Sequence, residues 1–271
     1  MTQIALLPHR GTVELTGSDR VSFLNGLVSN DVSKAAPGQV VWAALLTPQG
    51  KYLLDFFVFA DAERLLLDVQ RSEIVGLISK LRRFRLRAHV EITDISDNLK
   101  TYALWQGLPS PSPLTAPDPR LPQAGYRCLS ADNLACNATT HDYAAHRIAL
   151  GLPDGPPDLE PEKTLLLEAG FDELNGIDWQ KGCYMGQELT ARTKYRGLVK
   201  RRLLPVTLSQ DNLVTGTPIL ADEQEVGSLR SVEGTRGLAM LQLSALSKPL
   251  SVAQTPLEVQ IPDWFNQKKP S

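Results

Sequence analysis

The longest purely apolar run of the chain is only seven residues, Val40 to Leu46. It is followed, after Thr47-Pro48-Gln49-Gly50-Lys51, by Tyr52 to Ala60. Pro and Gly at these places suit a type I or II turn, so the two runs read as paired strands of a hairpin. Seven residues are far short of the roughly 20 needed to span a bilayer. The hairpin therefore commits the first part of the chain to a sheet with a buried core, and no membrane partner is expected.

Other elements follow from pattern. Gly11 to Leu15 and Leu65 to Val69 read as strands. Ser18 or Asp19 is placed to cap a helix carrying Val21, Phe23, Leu24 and Leu27. Ser72 is placed to cap a second helix, in which Ile74, Leu77, Ile78 and Leu81 follow the i, i+3, i+4, i+7 spacing of one buried face. Its end carries Lys80, Arg82, Arg83, Arg85 and Arg87, which suit a helix C-terminus or a patch that receives an anionic tail or partner. Leu108 to Pro122 holds six prolines in fifteen residues and reads as a stiff linker or loop that marks a boundary. Thr139 to Leu150 is a helix ended by Gly151. From Leu203 onward, short β-like runs (203–208, 217–220, 226–232, 237–243, 257–261) punctuated by Gly and Pro suggest a small antiparallel barrel or sandwich. The expected division is 1–107, 108–199 and 200–271.

Composition narrows the function classes. The net charge of −2 gives no global pull toward nucleic acid or anionic membranes, so direct nucleic-acid binding is not expected. The N-terminus has no basic region followed by an apolar stretch, as a secretory leader would. The three cysteines, Cys128, Cys136 and Cys183, read as reduced thiols, and a cytoplasmic protein is expected. There is no Gly-x-Gly-x-x-Gly, Walker loop or Gly-x-Ser-x-Gly, and neither the four histidines nor the cysteines have metal-ligand spacing.

One stretch fits no core pattern: Lys181-Gly-Cys-Tyr-Met-Gly-Gln-Glu-Leu-Thr-Ala-Arg192. It follows neither helical nor strand periodicity until Glu188. Gly186 to Tyr195 then reads as a helix with Glu188 and Arg192 one turn apart and Gly197 as its C-cap. Cys183 thus precedes a helix start, with Lys181 two residues away. Both a helix N-terminus and an ammonium favour thiolate, so Cys183 is either a reactive or metal-binding thiol, or a small buried thiol beside two closely approached glycines.

Glu168-Ala-Gly-Phe-Asp, the Lys181-to-Thr193 stretch, Gly197 and Lys200-Arg-Arg together resemble the YgfZ family of folate-binding, iron–sulfur-related proteins, distant relatives of the glycine cleavage T-protein. Gly17 to Val32, the segment from Gln49 to Asp55, Leu81 to Val90 and Arg147 to Pro153 resemble the same family. The Leu-Thr-Ala-Arg-Thr continuation is most similar to the branch that includes the mitochondrial iron–sulfur assembly factor. The resemblance implies an α+β body of two interlocked folate-binding subdomains plus a C-terminal antiparallel β-barrel, arranged as a ring around a central channel.

It also implies a cofactor, tetrahydrofolate or a derivative. Glu168 and Gln187 are then candidates for the pterin edge, and Tyr143 for stacking. Arg147, Lys181 and Arg192 would meet the anionic tail, with Glu188 supporting the pocket. The T-protein relatives carry two adjacent acidic residues where this chain has Leu54-Asp55. The single carboxylate of Asp55 weighs against aminomethyl transfer. The implied role is a folate-dependent factor that assembles or repairs iron–sulfur clusters in client enzymes, with assembly proteins as further partners and tRNA modification supported indirectly. Cys183 would be the functional thiol or a transient cluster ligand. The alternatives are a folate-dependent aminomethyl- or methyltransferase, and a non-catalytic folate-binding module that docks through Arg82 to Arg87.

Overall fold

A computed structural model describes residues 1–110 and 112–266. The chain forms two compact units and passes between them several times. The first comprises Met1–Leu46, Leu54–Tyr143 and Asn175–Met185, and the second comprises Thr47–Leu53, Ala144–Leu174 and the chain from Gly186 onward.

The first unit contains β1 (Gln3–Leu6), β2 (Arg10–Thr16), α1 (Arg20–Asn25), β3 (Val41–Leu46), most of β4 (Tyr52–Ala60), β5 (Arg64–Gln70), α2 (Ile74–Arg85), β6 (Glu91–Asp94), β7 (Lys100–Trp105), β8 (Thr115–Pro117) and β9 (Tyr126–Ser130). Two sheets result, ordered β3-β4-β5-β2-β6 and β1-β7-β9-β8. The expected hairpin is β3 and β4. Its turn is closed by Gly50 N–H donating to Thr47 O at 2.8 Å, with Gly50 at φ +81°. Every residue of β3 is buried, as are all but one in each of β4 and β5. Both faces of these strands are covered, which explains their continuous apolar runs.

Into this core the fold places a charge cluster that composition gives no sign of. Asp68, fully buried, accepts from Arg10 Nε at 2.7 Å and from Arg127 Nε at 2.9 Å. Arg120 is held by Asp118 through Nε at 2.9 Å and Nη2 at 2.7 Å. The guanidiniums of Arg10, Arg120 and Arg127 all lie over the Phe57 ring, at 5.7, 4.9 and 3.9 Å from its centroid. Each cation is thus paired with a carboxylate and faces an aromatic quadrupole, which makes its burial tolerable.

Three local expectations change. The proline-rich stretch marks no boundary between units. It lies within the first unit, supplies the edge strand β8, and carries the buried Asp118 and Arg120. Pro117 is tolerated there because an edge strand leaves one row of N–H groups unused. Pro111 lies outside the described residues. Nor does Ser72 cap α2: residues Arg71–Glu73 form a 3₁₀ turn, and the helix starts at Ile74 with no side-chain cap. Likewise the α1 cap residue Asp19 makes no cap bond, since its Oδ2 accepts the His89 N–H at 2.8 Å.

The second unit holds the rest of α3 (Thr140–Ala149), α4 (Gln187–Tyr195) and β10 (Arg201–Leu208), β11 (Pro218–Ala221), β12 (Gln224–Glu233), β13 (Arg236–Gln242), β14 (Leu250–Val252) and β15 (Thr255–Val259). The six strands close into an antiparallel barrel, β10-β13-β12-β11-β14-β15, around Val206, Ile219, Leu229, Ala239, Leu241 and Val252. The α+β class and the C-terminal barrel are as expected from the sequence. No helix of the described residues is long and apolar enough to cross a membrane.

Candidate functional site

In the first unit, the motif up to Met185 is an irregular loop, and it is fastened from both sides. Asp178 organises its entry. Its Oδ1 accepts the N–H groups of Gln180 at 2.7 Å and Lys181 at 3.0 Å, and its other oxygen takes the Lys34 ammonium. Burial works to raise the Asp178 pKa, but Lys34 and the two backbone donors hold it below the usual carboxylate value.

Lys181 then fixes the loop against residues 25–30. Its Nζ donates to the carbonyls of Asn25 and Val28 at 2.7 Å and of Asn30 at 2.8 Å, which uses all three ammonium protons. The Tyr184 ring lies 5.2 Å away as a cation–π partner. Burial pulls the Lys181 pKa down to about 8, against the opposing charges of Asp31 and Asp178. Further along, Met185 N–H donates to Gly26 O at 3.2 Å. The facing segment is pinned in turn, with Ser29 Oγ donating to Gly176 O at 2.7 Å and Asn30 Nδ2 to Trp42 O at 2.8 Å and Asn175 O at 2.7 Å.

Between these fastenings Gly182 and Cys183 are exposed, and a Cβ at Gly182 would meet nothing within 4 Å. Cys183 is therefore not a buried packing thiol, and Gly182 is not required for close approach. Around the start of α4, in the second unit, two glycines do have steric work to do. Gly186, at φ +81°, is the N-cap of α4, and a Cβ on Gly50 would stand 2.7 Å from Gly186 O and from Leu189 Cβ. Cys128 is buried, which pushes its thiol pKa up, and Cys136 is exposed.

The other expected site residues are dispersed. Asp55 is buried on β4, where Oδ2 accepts the Trp42 indole N–H at 2.8 Å. Tyr143 offers no open face for stacking. Its ring packs 5.8 Å from that of Trp105 among Ala5, Leu7 and Ala103, and its hydroxyl accepts from Arg127 Nη1 at 3.1 Å. In the second unit, Arg147 donates to Asp158 Oδ2 at 2.7 Å, Leu152 O at 3.1 Å and Ser231 Oγ at 2.7 Å. Asp158 is fully buried and also accepts the N–H groups of Asp154 and Ser231, so Arg147 neutralises a core carboxylate. Glu168 is gripped by Arg201 through two bonds of 3.0 and 3.1 Å. The pair lines a cavity of about 630 Å³ with Lys200, Gln242, Leu243 and Ser244. On α4, Gln187 is half-buried, while Glu188 and Arg192 are exposed one turn apart.

Sequence reasoning missed Asp178, Lys34, Ser29 and Asn30, which hold the motif loop and its facing segment. Their only signal is a short polar run, Ser29-Asn30-Asp31, directly after apolar residues, and an aspartate three positions ahead of Lys181.

Comparison with known proteins gives three findings. Residues 6–109 match the model of the GCVT N-terminal domain, and residues 200–267 match that of the CAF17 C-terminal beta-barrel domain. Among curated proteins, the mitochondrial iron–sulfur cluster assembly factor IBA57 of Homo sapiens is 30% identical, over 96% of this chain and 84% of its own length. Its homologue in Mycosarcoma maydis is 35% identical over 93% of this chain, and that in Coccidioides immitis 32% over 74%. The chain spans 66% and 56% of the lengths of these two fungal relatives. Among solved structures, the glycine cleavage system aminomethyltransferase T of Bartonella henselae superposes with a TM-score of 0.74 over 98% of this chain and 87% of its own, at 12% identity, which shows a shared fold. The three curated relatives are named as mitochondrial proteins, which overturns the cytoplasmic expectation. That expectation rested on the lack of an apolar secretory leader and on three cysteines read as reduced thiols, and neither separates the cytoplasm from mitochondria.

Proposed function

Because the chain belongs to the family of the iron–sulfur cluster assembly factor IBA57, we propose that it assists assembly or repair of iron–sulfur clusters in client enzymes, with Cys183 as its functional thiol. The observation that carries this reading is the placement of Cys183: an exposed thiol on a loop held at its base by Asp178 and by the three-way Lys181 clamp. A loop so fastened presents its thiol in a fixed position, which a group meeting a large partner requires. The cluster is cargo in this scheme. On binding the cluster, the exposed Cys183 gives its proton to solvent and offers one thiolate, and the remaining ligands come from the client or assembly protein.

The residues present suit a reduced folate in their chemistry. The cavity lined by Glu168 and Gln242 offers acceptors and donors for the pterin edge, Leu243 an apolar wall, and Lys200 and Arg201 cations for the glutamate tail. Bound there, the folate would supply one-carbon or redox chemistry. Glu168 and Arg201 would orient it, and their existing pairing holds the carboxylate in place. Arg147, Tyr143 and Asp55 serve the fold in this reading, as their contacts are internal. This finer assignment supports placing the chain with the folate-binding YgfZ proteins and assigns no turnover of its own.

The test is anaerobic purification and absorption spectroscopy, with and without tetrahydrofolate, on wild type and Cys183→Ser, together with client-enzyme activities in cells carrying Cys183→Ala. The expected result is loss of client activity with unchanged melting temperature. Normal client activities with the alanine variant would refute the role of Cys183.

A further inference from the structure

The segment from Lys80 to Glu91 carries five cations and one carboxylate in a chain whose net charge is −2. Arg82 and Arg85 are partly committed, donating to Ile92 O at 3.3 Å and Val90 O at 3.4 Å. Arg83 and Arg87 are exposed and make no hydrogen bond or ion pair among the described residues. Cations in the last turn suit the C-terminus of α2, but Arg87 lies beyond that turn.

Apolar groups stand beside these charges. Leu86 is 89% exposed, Phe84 40%, and Val75, about three turns earlier on α2, 81%. Leu86 is held at φ +42°, ψ −102°, a conformation a branched non-glycine side chain rarely adopts. A strained backbone that displays a leucine to water has no use within the unit, and such strain collects at binding sites. Next to Leu86 lies a cavity of about 390 Å³ walled by Thr16, Gly17, Arg85, Arg87, His89 and Glu91.

From this geometry we infer that the C-terminal end of α2 is a docking surface for an acidic protein segment, with Leu86 as its apolar anchor and Arg83 and Arg87 as its charge contacts. Charge complementarity selects the partner. Carboxylates of the partner meet Arg83 and Arg87, while its apolar side chains cover Leu86 and Val75. A membrane fits less well, because the apolar face of α2 (Ile74, Leu77, Leu81) is buried in the protein rather than turned outward. Nucleic acid would leave the two exposed aliphatic side chains uncovered.

The test uses fluorescence anisotropy with a short dye-labelled peptide of glutamates carrying two leucines. An all-glutamate peptide, phosphatidylserine vesicles and single-stranded RNA serve as competing probes. Wild type is expected to bind the glutamate–leucine peptide most tightly, with affinity falling as salt rises. Arg83→Glu/Arg87→Glu should weaken it by about tenfold or more. Leu86→Gly, which relieves the backbone, should reduce affinity to that of the all-glutamate peptide while leaving the melting temperature unchanged or higher. Absence of peptide binding by wild type, equal binding by the double variant, or a preference for vesicles or RNA would each overturn the inference.

Discussion

Replacing Lys181 by Met tests whether the clamp holds the Cys183 loop. Methionine keeps the aliphatic stem but removes the three donors, leaving the carbonyls of Asn25, Val28 and Asn30 without their partner. A charge-assisted bond contributes ~1.5–3 kcal/mol and an orphaned buried acceptor costs ~1–3 kcal/mol. Lys181 is only part-buried, so the carbonyls regain some water, and removing the cation also removes its desolvation cost. A loss of about 2 kcal/mol from loop closure follows, which multiplies the open population by roughly 30. The readout is amide hydrogen exchange. The Met185 N–H, bonded to Gly26 O, should exchange roughly 30-fold faster, while amides of the β10–β13 ladder keep their protection. In a Cys136→Ser background, alkylation of Cys183 should accelerate in parallel. Lys181→Arg should recover only part of the protection, because a planar guanidinium cannot direct donors to three converging carbonyls. Unchanged Met185 exchange in the methionine variant would refute the clamp. Equal acceleration in the barrel would show a global effect instead.

Three further outcomes are expected. Arg147→Met leaves the fully buried Asp158 without its cation and should destabilise the chain by about 3–5 kcal/mol in urea titration; Arg147→Met/Asp158→Asn should recover part of that loss, and equal losses in the two variants would count against the pairing. Gly50→Ala, at φ +81° with Gly186 O and Leu189 in the way, should cost about 2–4 kcal/mol, read by the same titration. For Asp118, burial raises the pKa, but the Arg120 and Arg127 guanidiniums outweigh it and hold the value below 3.8. A carboxylate with a depressed folded-state pKa stabilises the fold above its unfolded value and loses that contribution as pH falls through the folded one. The stability gap between wild type and Asp118→Asn should therefore be constant above about pH 4 and shrink below it; a gap that does not depend on pH would contradict the pairing.

The sequence by itself determined the strands whose side chains face a core. The hairpin of β3 and β4, the buried face of α2 and five of the six barrel strands are visible as apolar periodicity, because burial acts residue by residue along the chain. It also singled out residues 181–187, whose pattern follows neither helical nor strand periodicity. Short or edge strands such as β8 and β14 were not legible, because three residues carry too little periodicity and Pro117 counts against a strand.

Only the tertiary structure decided what the polar residues do. In sequence, Arg147, Lys181 and Arg192 are three equivalent cations. In the fold, the first neutralises Asp158, the second binds three backbone carbonyls, and the third is exposed. Lys181 meets partners more than 150 positions away, as far as Asn25, and those partners are carbonyls, which every residue has. A charge owes its role to the groups that surround it after folding, and no pattern along the chain records which groups those are.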